Sequence, residues 1–568
     1  MKCLRDSMPS FDPSRILFED EWLIAVNKPV GVPAQAARAE EDDSLSARLH
    51  HYLNENGETP YIGTHQHLDR DTSGVLVFAK KKEANRSLSE QWQQRKVVRH
   101  YRALVRGWRG SKRRLHTSLR RERGRMRPSQ VGGRAAISYV EPIECRHGYA
   151  DLAIRVETGH THTIRAQLAA EEAPIVGDAL YEGESAPRLM LHAHRLQLIH
   201  PLKKETMHFE APVPKAFSRK LRSDETQSLA EEIVSESVFL EKLHQAAEAR
   251  WFLIHSDLHP KPTSCFRWVD GWGDDLPGCA IDVYGDVNCD TRRDFAVIHL
   301  YDSLPGELEQ RLAELVGTFG FEGLYFKRRP KKASDVDTLD DAVAPAKPCF
   351  GTPAPERFLV QEFGIPFEVS LSQGLSTGLF LDQRENRRRV RAHRPETLLN
   401  LFAYTGTFST AAAAGGTSET MSIDRSGRAL SVARRNLQRV AESMQGHSLV
   451  GDDVFAALKR LNRRGQRFDL VVVDPPTYAT SRRTRWKSGS QWTDLSAACF
   501  SVTAPGGSVF ASSNDRRMSE KQFRQFLYRG ARLSGRTLRQ IKDLPLPQDF
   551  RAGQAGVGQL KAAWLEVE

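Results

Sequence analysis

The chain has 568 residues, 40% of them hydrophobic and 27% charged, with a formal net charge of +11 and a sequence pI of about 9.3. At roughly 150 residues per domain this length predicts three or four domains. No apolar run approaches ~18 residues and the start, MKCLRDSMPSFDPSR, has no apolar signal core, so a cytoplasmic protein without a membrane span or secretory leader is expected. The basic balance predicts a polyanionic partner, through counterion release, without identifying it. Seven cysteines are scattered with no CxxC pair, so reduced thiols and no metal site are expected.

In chain order, ILFEDEWLIAVNKPVGVPA (Ile16 to Ala34) reads as short strands joined by turns, with Asn27-Lys28-Pro29 at one of them. HQHLDRDTSGVLVFAK (His65 to Lys80) reads as a polar turn feeding a buried strand. Within it the Asp69 carboxylate lies between His67 and Arg70. Neighbouring cations favour the ionised form, which suits a nucleophile or base; a surface salt bridge is the plainer alternative. Glu83 to Gln94 predicts a helix with Leu88 and Trp92 on one face. RKVVRHYRALVRG (Arg95 to Gly107) is a strand carrying Tyr101. Arg106 to Arg134 then holds eleven Lys or Arg residues against one acid, Glu122, interrupted by glycines and Pro128. That predicts a loop or hairpin whose like charges want a phosphate partner.

The string HQHLDRDTSG resembles motif II of the RluA-type pseudouridine synthases, HRLDRxTSG. NKP, YRALVRG, TGHTHTIRAQ, PIVGDALY and LMLHAHRL resemble further strings of that family, over residues 16 to 214. The resemblance implies an α+β domain over 1–215 with a mixed antiparallel sheet and no cofactor. It makes Asp69 the catalytic carboxylate, Tyr101 the residue that stacks on the target base and Arg165 the partner of Asp69. His67 and Arg70 would meet RNA. His67 stands where the family has the Arg linked to prising the base from its stack. His160, Thr163 and Gln167 replace the usual Arg, Gln and His. Histidine is shorter and mostly neutral at pH 7, so altered target handling is expected.

Residues 216–260 are polar and helix-favouring and predict a helical connector. FRWVDGWGDDLPGCAIDVYGD (Phe266 to Asp286) resembles a segment of the RlmI-type rRNA methyltransferases and implies a small α/β domain over 261–355. KRRPKK (Lys327 to Lys332) and the Ala/Pro-rich stretch after it read as a solvated loop and linker.

From Phe358 strands and helices alternate, the pattern of a doubly wound, Rossmann-like sheet over 356–568. LLNLFAYTGTFSTAAAAGG (Leu398 to Gly416) is a strand, a turn and an Ala-rich helix, with Gly406 where a ligand can come close. Later strands end at Asp424, at Asp452-Asp453 and at Asp474. Helix capping explains each acid singly; together they resemble the class I S-adenosylmethionine methyltransferases. The resemblance gives Asp424 the ribose and Asp453 the adenine side, with Asp452 the register alternative. Asp474, Pro475 and Pro476 become the floor beside the methyl group and target base. GLSTGLFLDQRENRRRV (Gly374 to Val390) resembles the TGLFLDHRxNRR segment of the RlmK and RlmI group. That adds Phe380, Asp382 and Arg384 to the cofactor set, beside Asn400 and Gly406 of the Leu398 to Gly416 stretch, and Arg387 to the RNA set.

In the RlmI branch a cysteine follows APGG; here the place reads VFASSNDRRMS, without one. The resemblance to the RlmK branch implies guanine N7 as methyl acceptor, with Tyr478 stacking on the base and Arg482, Arg483, Arg485 and Lys487 near phosphates. The expectation is a bifunctional RNA-modification enzyme acting on large-subunit rRNA, with no DNA or membrane partner. Three alternatives stay open: a methyltransferase whose front half only binds RNA, a non-catalytic ribosome-assembly factor, and a tRNA substrate.

Overall fold

The computed structural model describes the chain except residues 1–10, 36–43, 56, 58–60, 123–124, 223–227, 256–261, 289–291, 330–341, 477, 481–484, 488–490 and 552–559, and except the side chains at 219, 222, 478–480 and 485–487. Among the described residues no helix is long and apolar enough to cross a membrane.

The front unit is built on an 11-stranded sheet. Its strands are β1 (Ile16–Glu19), β2 (Leu23–Lys28), β3 (Gly63–Thr64), β4 (Ser73–Ala79), β5 (Val98–Arg106), β6 (Arg113–Glu122), β7 (Arg125–Pro128), β8 (Arg134–Arg146), β9 (Tyr149–Val156), β10 (Leu191–Ile199) and β11 (Thr206–Glu210). The order is β1-β2-β4-β10-β5-β9-β8-β6-β7, with β11 on β10 and β3 on β4. Only β4 with β10 is parallel, so the sheet is mixed. β4 is buried along its whole length. Its period of two sends Leu76 and Phe78 into one core and Val75, Val77 and Ala79 into the other, which is why its apolar run does not alternate with polar residues. At Gly74, φ is +115° and an added Cβ would lie 2.1 Å from the Ala193 carbonyl oxygen, so the parallel contact with β10 admits no side chain there.

The middle unit is a five-stranded sheet of β12 (Cys265–Asp270), β13 (Cys279–Asp286), β14 (Arg293–Leu300), β15 (Gly323–Arg328) and β16 (Phe350–Gly351), in that order. Helices Leu229–Val234, Glu236–Ala249 and Gly306–Gly317 share its core: Leu229, Ile233, Phe239 and Leu243 pack with Trp268, Ile281, Ile298 and Leu324. The stretch read as a connector thus forms a layer of this unit, because its apolar stripe needs a sheet to cover it. The hairpin of β17 (Phe358–Glu362) and β18 (Ile365–Val369) forms the seam to the last unit; Phe358 and Phe367 pack with Tyr284, Phe295 and Leu381.

The last unit contains β19 (Thr397–Leu401), β20 (Glu419–Asp424), β21 (His447–Gly451), β22 (Phe468–Val473), the small pair β23 (Tyr478–Thr480) and β24 (Arg485–Lys487), β25 (Thr503–Ser513), β26 (Leu538–Asp543) and β27 (Lys561–Val567). Seven of these form one sheet, ordered β21-β20-β19-β22-β25-β27-β26, parallel except at β27. The chain reverses its winding between β19 and β22, and a crevice opens there at the strand carboxyl ends.

Residues 544–551 tie the units together. The Asp549 carboxylate accepts from Arg384 Nη1 (3.0 Å) and from the Arg267 backbone N–H (2.9 Å), while its carbonyl accepts from Arg250 Nη2 (2.6 Å). Gln548 Oε1 accepts from Arg70 of the front unit.

Candidate active sites

In the front unit the turn before β4 and helix Thr163–Ala170 meet across a cavity of about 960 Å³. The cavity brings together Asp69, Tyr101, Arg165, His67 and His160. Arg165 donates through Nη1 to Asp69 Oδ2 (3.1 Å), and through Nε and Nη2 to Asp178 (2.7 and 2.8 Å). The bidentate pair with buried Asp178 fixes the guanidinium, so its remaining nitrogen is aimed at Asp69. His162 Nε2 lies 3.6 Å from the same Asp69 oxygen, and its Nδ1 is 3.2 Å from the Tyr181 hydroxyl. Burial lowers the pKa of this imidazole. Burial also raises the Tyr101 phenol. The loop below is held by buried Lys28, whose Nζ donates to the carbonyls of Pro29 (3.0 Å), Val32 (2.6 Å) and Arg70 (2.9 Å). Burial pushes that ammonium down to about 7.

The basic stretch forms the β6–β7 hairpin and the start of β8, and brings Arg120, Arg121 and Arg134 to the cavity wall. His67 is exposed at the rim. Gln167, at the place of the family's His, faces away from the reaction: it accepts from Ser138 Oγ (2.8 Å) and donates to the Ala136 carbonyl (3.0 Å).

The crevice of the last unit is a cavity of about 1160 Å³. It brings together Phe380, Asn400, Asp424, Asp453, Asp474, Pro475 and Pro476. Asp424 accepts the backbone N–H groups of Tyr404 (2.9 Å) and Ser426 (2.8 Å), which leaves further lone pairs for a ribose. Asp453 caps helix Val454–Arg463 through the Ala456 N–H (3.1 Å), so capping and cavity lining fall on one residue. Asp452 is not in the lining and pairs with Arg460. Asp474 accepts from Gln383 Nε2 (3.0 Å) and Ser512 Oγ (2.6 Å), and burial raises its pKa. Phe402 and Tyr404 line the cavity with φ of +55° and +48°. The left-handed region is costly for aromatic residues and is held here by the surrounding contacts. Tyr404 faces the half-exposed ring of Phe380 at 5.6 Å. The size, the ribose-ready acid and the aromatic wall fit a nucleoside cofactor.

Several expected residues sit elsewhere. Arg384 is not in the lining: its buried guanidinium pairs with Asp549. Arg387 reaches the wall, but its charge is taken by Glu362 (Nε and Nη2, 2.7 Å each), and it donates to the Phe380 carbonyl (2.8 Å); it braces Phe380 and does not present a free cation to RNA. Asp382 is also outside the lining; burial, then the charge of Asp474, pushes its carboxyl up to about 6. Gly406 is not in the lining, and there a Cβ would stand 2.7 Å from the Ala433 Cβ, so its bareness serves packing against helix Gly427–Gln438. Arg70 turns to Gln548. The Tyr478 side chain, Thr477, Arg482 and Arg483 and the side chains of Arg485 and Lys487 lie outside the described residues. Gln383, Phe402, Tyr404 and Ser512 were not singled out for a role. Their only signal is position, beside Asp382, after β19 and in the string SSN.

The folds and cavities define a pseudouridine synthase-like domain joined to a class I methyltransferase. Family models agree: RNA pseudouridylate synthase matches residues 22–170 and S-adenosylmethionine-dependent methyltransferase matches 345–563. A ribosomal RNA large subunit methyltransferase of Deinococcus radiodurans is 31% identical over 311 residues, 54% of this chain and 73% of that protein. Ribosomal RNA large subunit methyltransferase I of Escherichia coli is 28% identical over 336 residues, 57% and 79% of the two chains. The crystal structure of SMU.776 complexed with SAH superposes with a TM-score of 0.50 at 26% identity, covering 61% of this chain and 83% of that one. The chain belongs to the ribosomal RNA large subunit methyltransferases, with a domain in front that matches the RNA pseudouridylate synthase family.

Proposed function

We propose that the chain is a bifunctional RNA-modification enzyme that converts a uridine to pseudouridine and methylates a base, guanine at N7, in large-subunit rRNA. The first activity is carried by one observation: Asp69 and Arg165 are paired at 3.1 Å in a cavity walled by arginines. In this reading Asp69 is the group that meets the nucleoside, Arg165 aims it, and Tyr101 supports the base. The N1–C1′ bond of the uridine breaks, the base turns, a C5–C1′ bond forms, the C5 proton leaves and the freed N1 takes up a proton, giving the isomer pseudouridine. No redox partner is required.

For the second activity, S-adenosylmethionine bound in the crevice supplies an electrophilic methyl group. Asp424 takes the ribose hydroxyls and Asp453 the adenine side. Asp474, held by Gln383 and Ser512, sets the floor with Pro475 and Pro476. Guanine N7 already offers a lone pair, so alignment suffices and no thiolate adduct is needed. Support for that acceptor comes from the lining, which among the described residues contains no cysteine. Cys499 is fully buried and its thiol is pushed up by burial, so it does not serve as a nucleophile. The large-subunit rRNA substrate rests on the relatives, which are named for it.

The test is nucleoside mapping of rRNA and tRNA from a deletion strain complemented with wild type or Asp69→Ala. Loss of one pseudouridine and one 7-methylguanine in the deletion, with only the pseudouridine missing in Asp69→Ala, is expected. An unchanged pseudouridine map would leave the front half as an RNA-binding domain. Loss of a 5-methylcytosine would replace the proposed acceptor.

A further inference from the structure

The synthase cavity continues into a second one of about 480 Å³, and the two share His67, Asp69, Thr161, His162 and Arg165. Four arginines and two aspartates line this annex, Arg70, Arg165, Arg188 and Arg551 against Asp69 and Asp71. Arg165 is accounted for by Asp69 and Asp178. Arg188 is not: among the described residues it forms no salt bridge. Its Nη2 donates to Ser73 Oγ (2.6 Å) and its Nε to the Leu189 carbonyl (3.2 Å). Ser73 in turn is 2.8 Å from His192 Nδ1, so the hydroxyl gives its proton to the imidazole and accepts from the arginine. The guanidinium is therefore oriented by neutral hydrogen-bond partners, and Asp71, which acts on it across the annex, makes no salt bridge with it. Burial, then the charge of Arg551, pushes Arg188 down to about 10.

Arg551 comes from the methyltransferase half. Its Nη1 is 3.2 Å from Asp274, but Asp274 already holds Arg250 bidentately at 2.6 and 2.7 Å, so one of these two guanidinium charges is surplus. Arg551 lies against the synthase loop: a Cβ at Gly31 would be 3.7 Å from its Cζ. Two converging guanidiniums match the oxygens of a phosphodiester, which they can bind through several parallel hydrogen bonds. The annex adjoins the Asp69 cavity, within reach of the backbone of a strand whose base sits there.

We propose that Arg188 and Arg551 form a binding site for a backbone phosphate of the RNA strand that carries the target uridine, so that the methyltransferase half completes the RNA surface of the synthase half. This rests on the isomerase reading above for the identity of the strand. It also explains why a residue of the methyltransferase half is folded against the loop at Gly31 of the synthase half.

The test uses the full-length protein and a large-subunit rRNA transcript. Binding is titrated between about 50 and 200 mM salt for wild type, Arg188→Ala, Arg551→Ala and Arg551→Lys. Each alanine variant is expected to reduce the slope of log affinity against log salt by about 0.7–0.9. Arg551→Ala should raise the apparent KM for RNA in pseudouridine formation about 10-fold with kcat nearly unchanged. Arg551→Lys keeps the charge and should keep the slope, and S-adenosylmethionine affinity should match wild type throughout. Unchanged slopes in both alanine variants overturn the site. So does an equal loss in Arg551→Lys, which would trace the effect to packing against Gly31. If wild type forms no pseudouridine on any RNA, the isomerase reading falls while the salt slopes still decide this one.

Discussion

Asp69 gains its setting from residues far along the chain: Arg165 aims at it and Asp178 fixes Arg165. Single substitutions here read out single functions, because the two cavities share no lining residue. The acids of the methyltransferase crevice can be separated the same way. Asp424→Ala removes an acceptor proposed for two ribose hydroxyls and is expected to weaken S-adenosylmethionine binding about 10- to 100-fold, measured by titration calorimetry. Asp453→Ala should weaken binding and also cost about 1 kcal/mol of stability through the lost helix cap. Asp452→Ala should leave affinity unchanged, since that residue is paired outside the lining. The reverse result would move the adenine contact to Asp452.

Short segments do much of the positioning. Lys28 ties the NKP turn to the motif carrying Asp69 by donating to three carbonyls. Lys28→Met keeps the buried volume but strands those acceptors, each at about 1–3 kcal/mol. Pseudouridine formation and the melting temperature should both fall, with S-adenosylmethionine affinity retained; full isomerase activity in this variant would show that the loop holds itself. Residues 544–551 play the same role for the whole assembly. Asp549→Ala leaves the Arg384 guanidinium, 3% exposed, without its carboxylate partner. Breaking such a buried pair is expected to cost about 3–5 kcal/mol, read as a shift in urea midpoint at constant slope.

At the scale of the whole molecule, two buried neutral histidines add to the response to acid. Arg329 donates to His299 Nδ1, so Nε2 carries the ring proton and donates it to Asp282 (2.8 Å). Ser73 and the Ala211 carbonyl hold His192 in its neutral form likewise. Burial pushes His192 down to about 3 and His299 down to about 4, from 6.5. Between these values and 6.5 the unfolded chain binds more protons than the folded one, so stability rises with pH across that window and is lost as pH falls through it. Each histidine can contribute up to about 1.4 kcal/mol per pH unit there. His192→Gln should flatten the stability profile below pH 6.5 in a thermal-melt series; an unaltered profile would mean that His192 does not titrate on unfolding as described.

Local chemistry carried a large part of this molecule in its order of residues. The turn and strand around Asp69 and the strand ends before Asp424, Asp453 and Asp474 were legible because turn, strand and glycine preferences act over a few residues, whereas the roles expected of these acids came from the resemblance to known families. The doubly wound alternation after Phe358 was legible likewise. Contacts between distant segments were not. Nothing in the string RENRRR distinguishes Arg384, which pairs with Asp549, from Arg387, which is held by Glu362 and donates to the Phe380 carbonyl. Nothing near residue 230 announces that its helices complete the middle core. Which arginine is neutralised and which is left facing a cavity depends on partners up to several hundred positions away, and only the packed structure brings those charges within reach of one another.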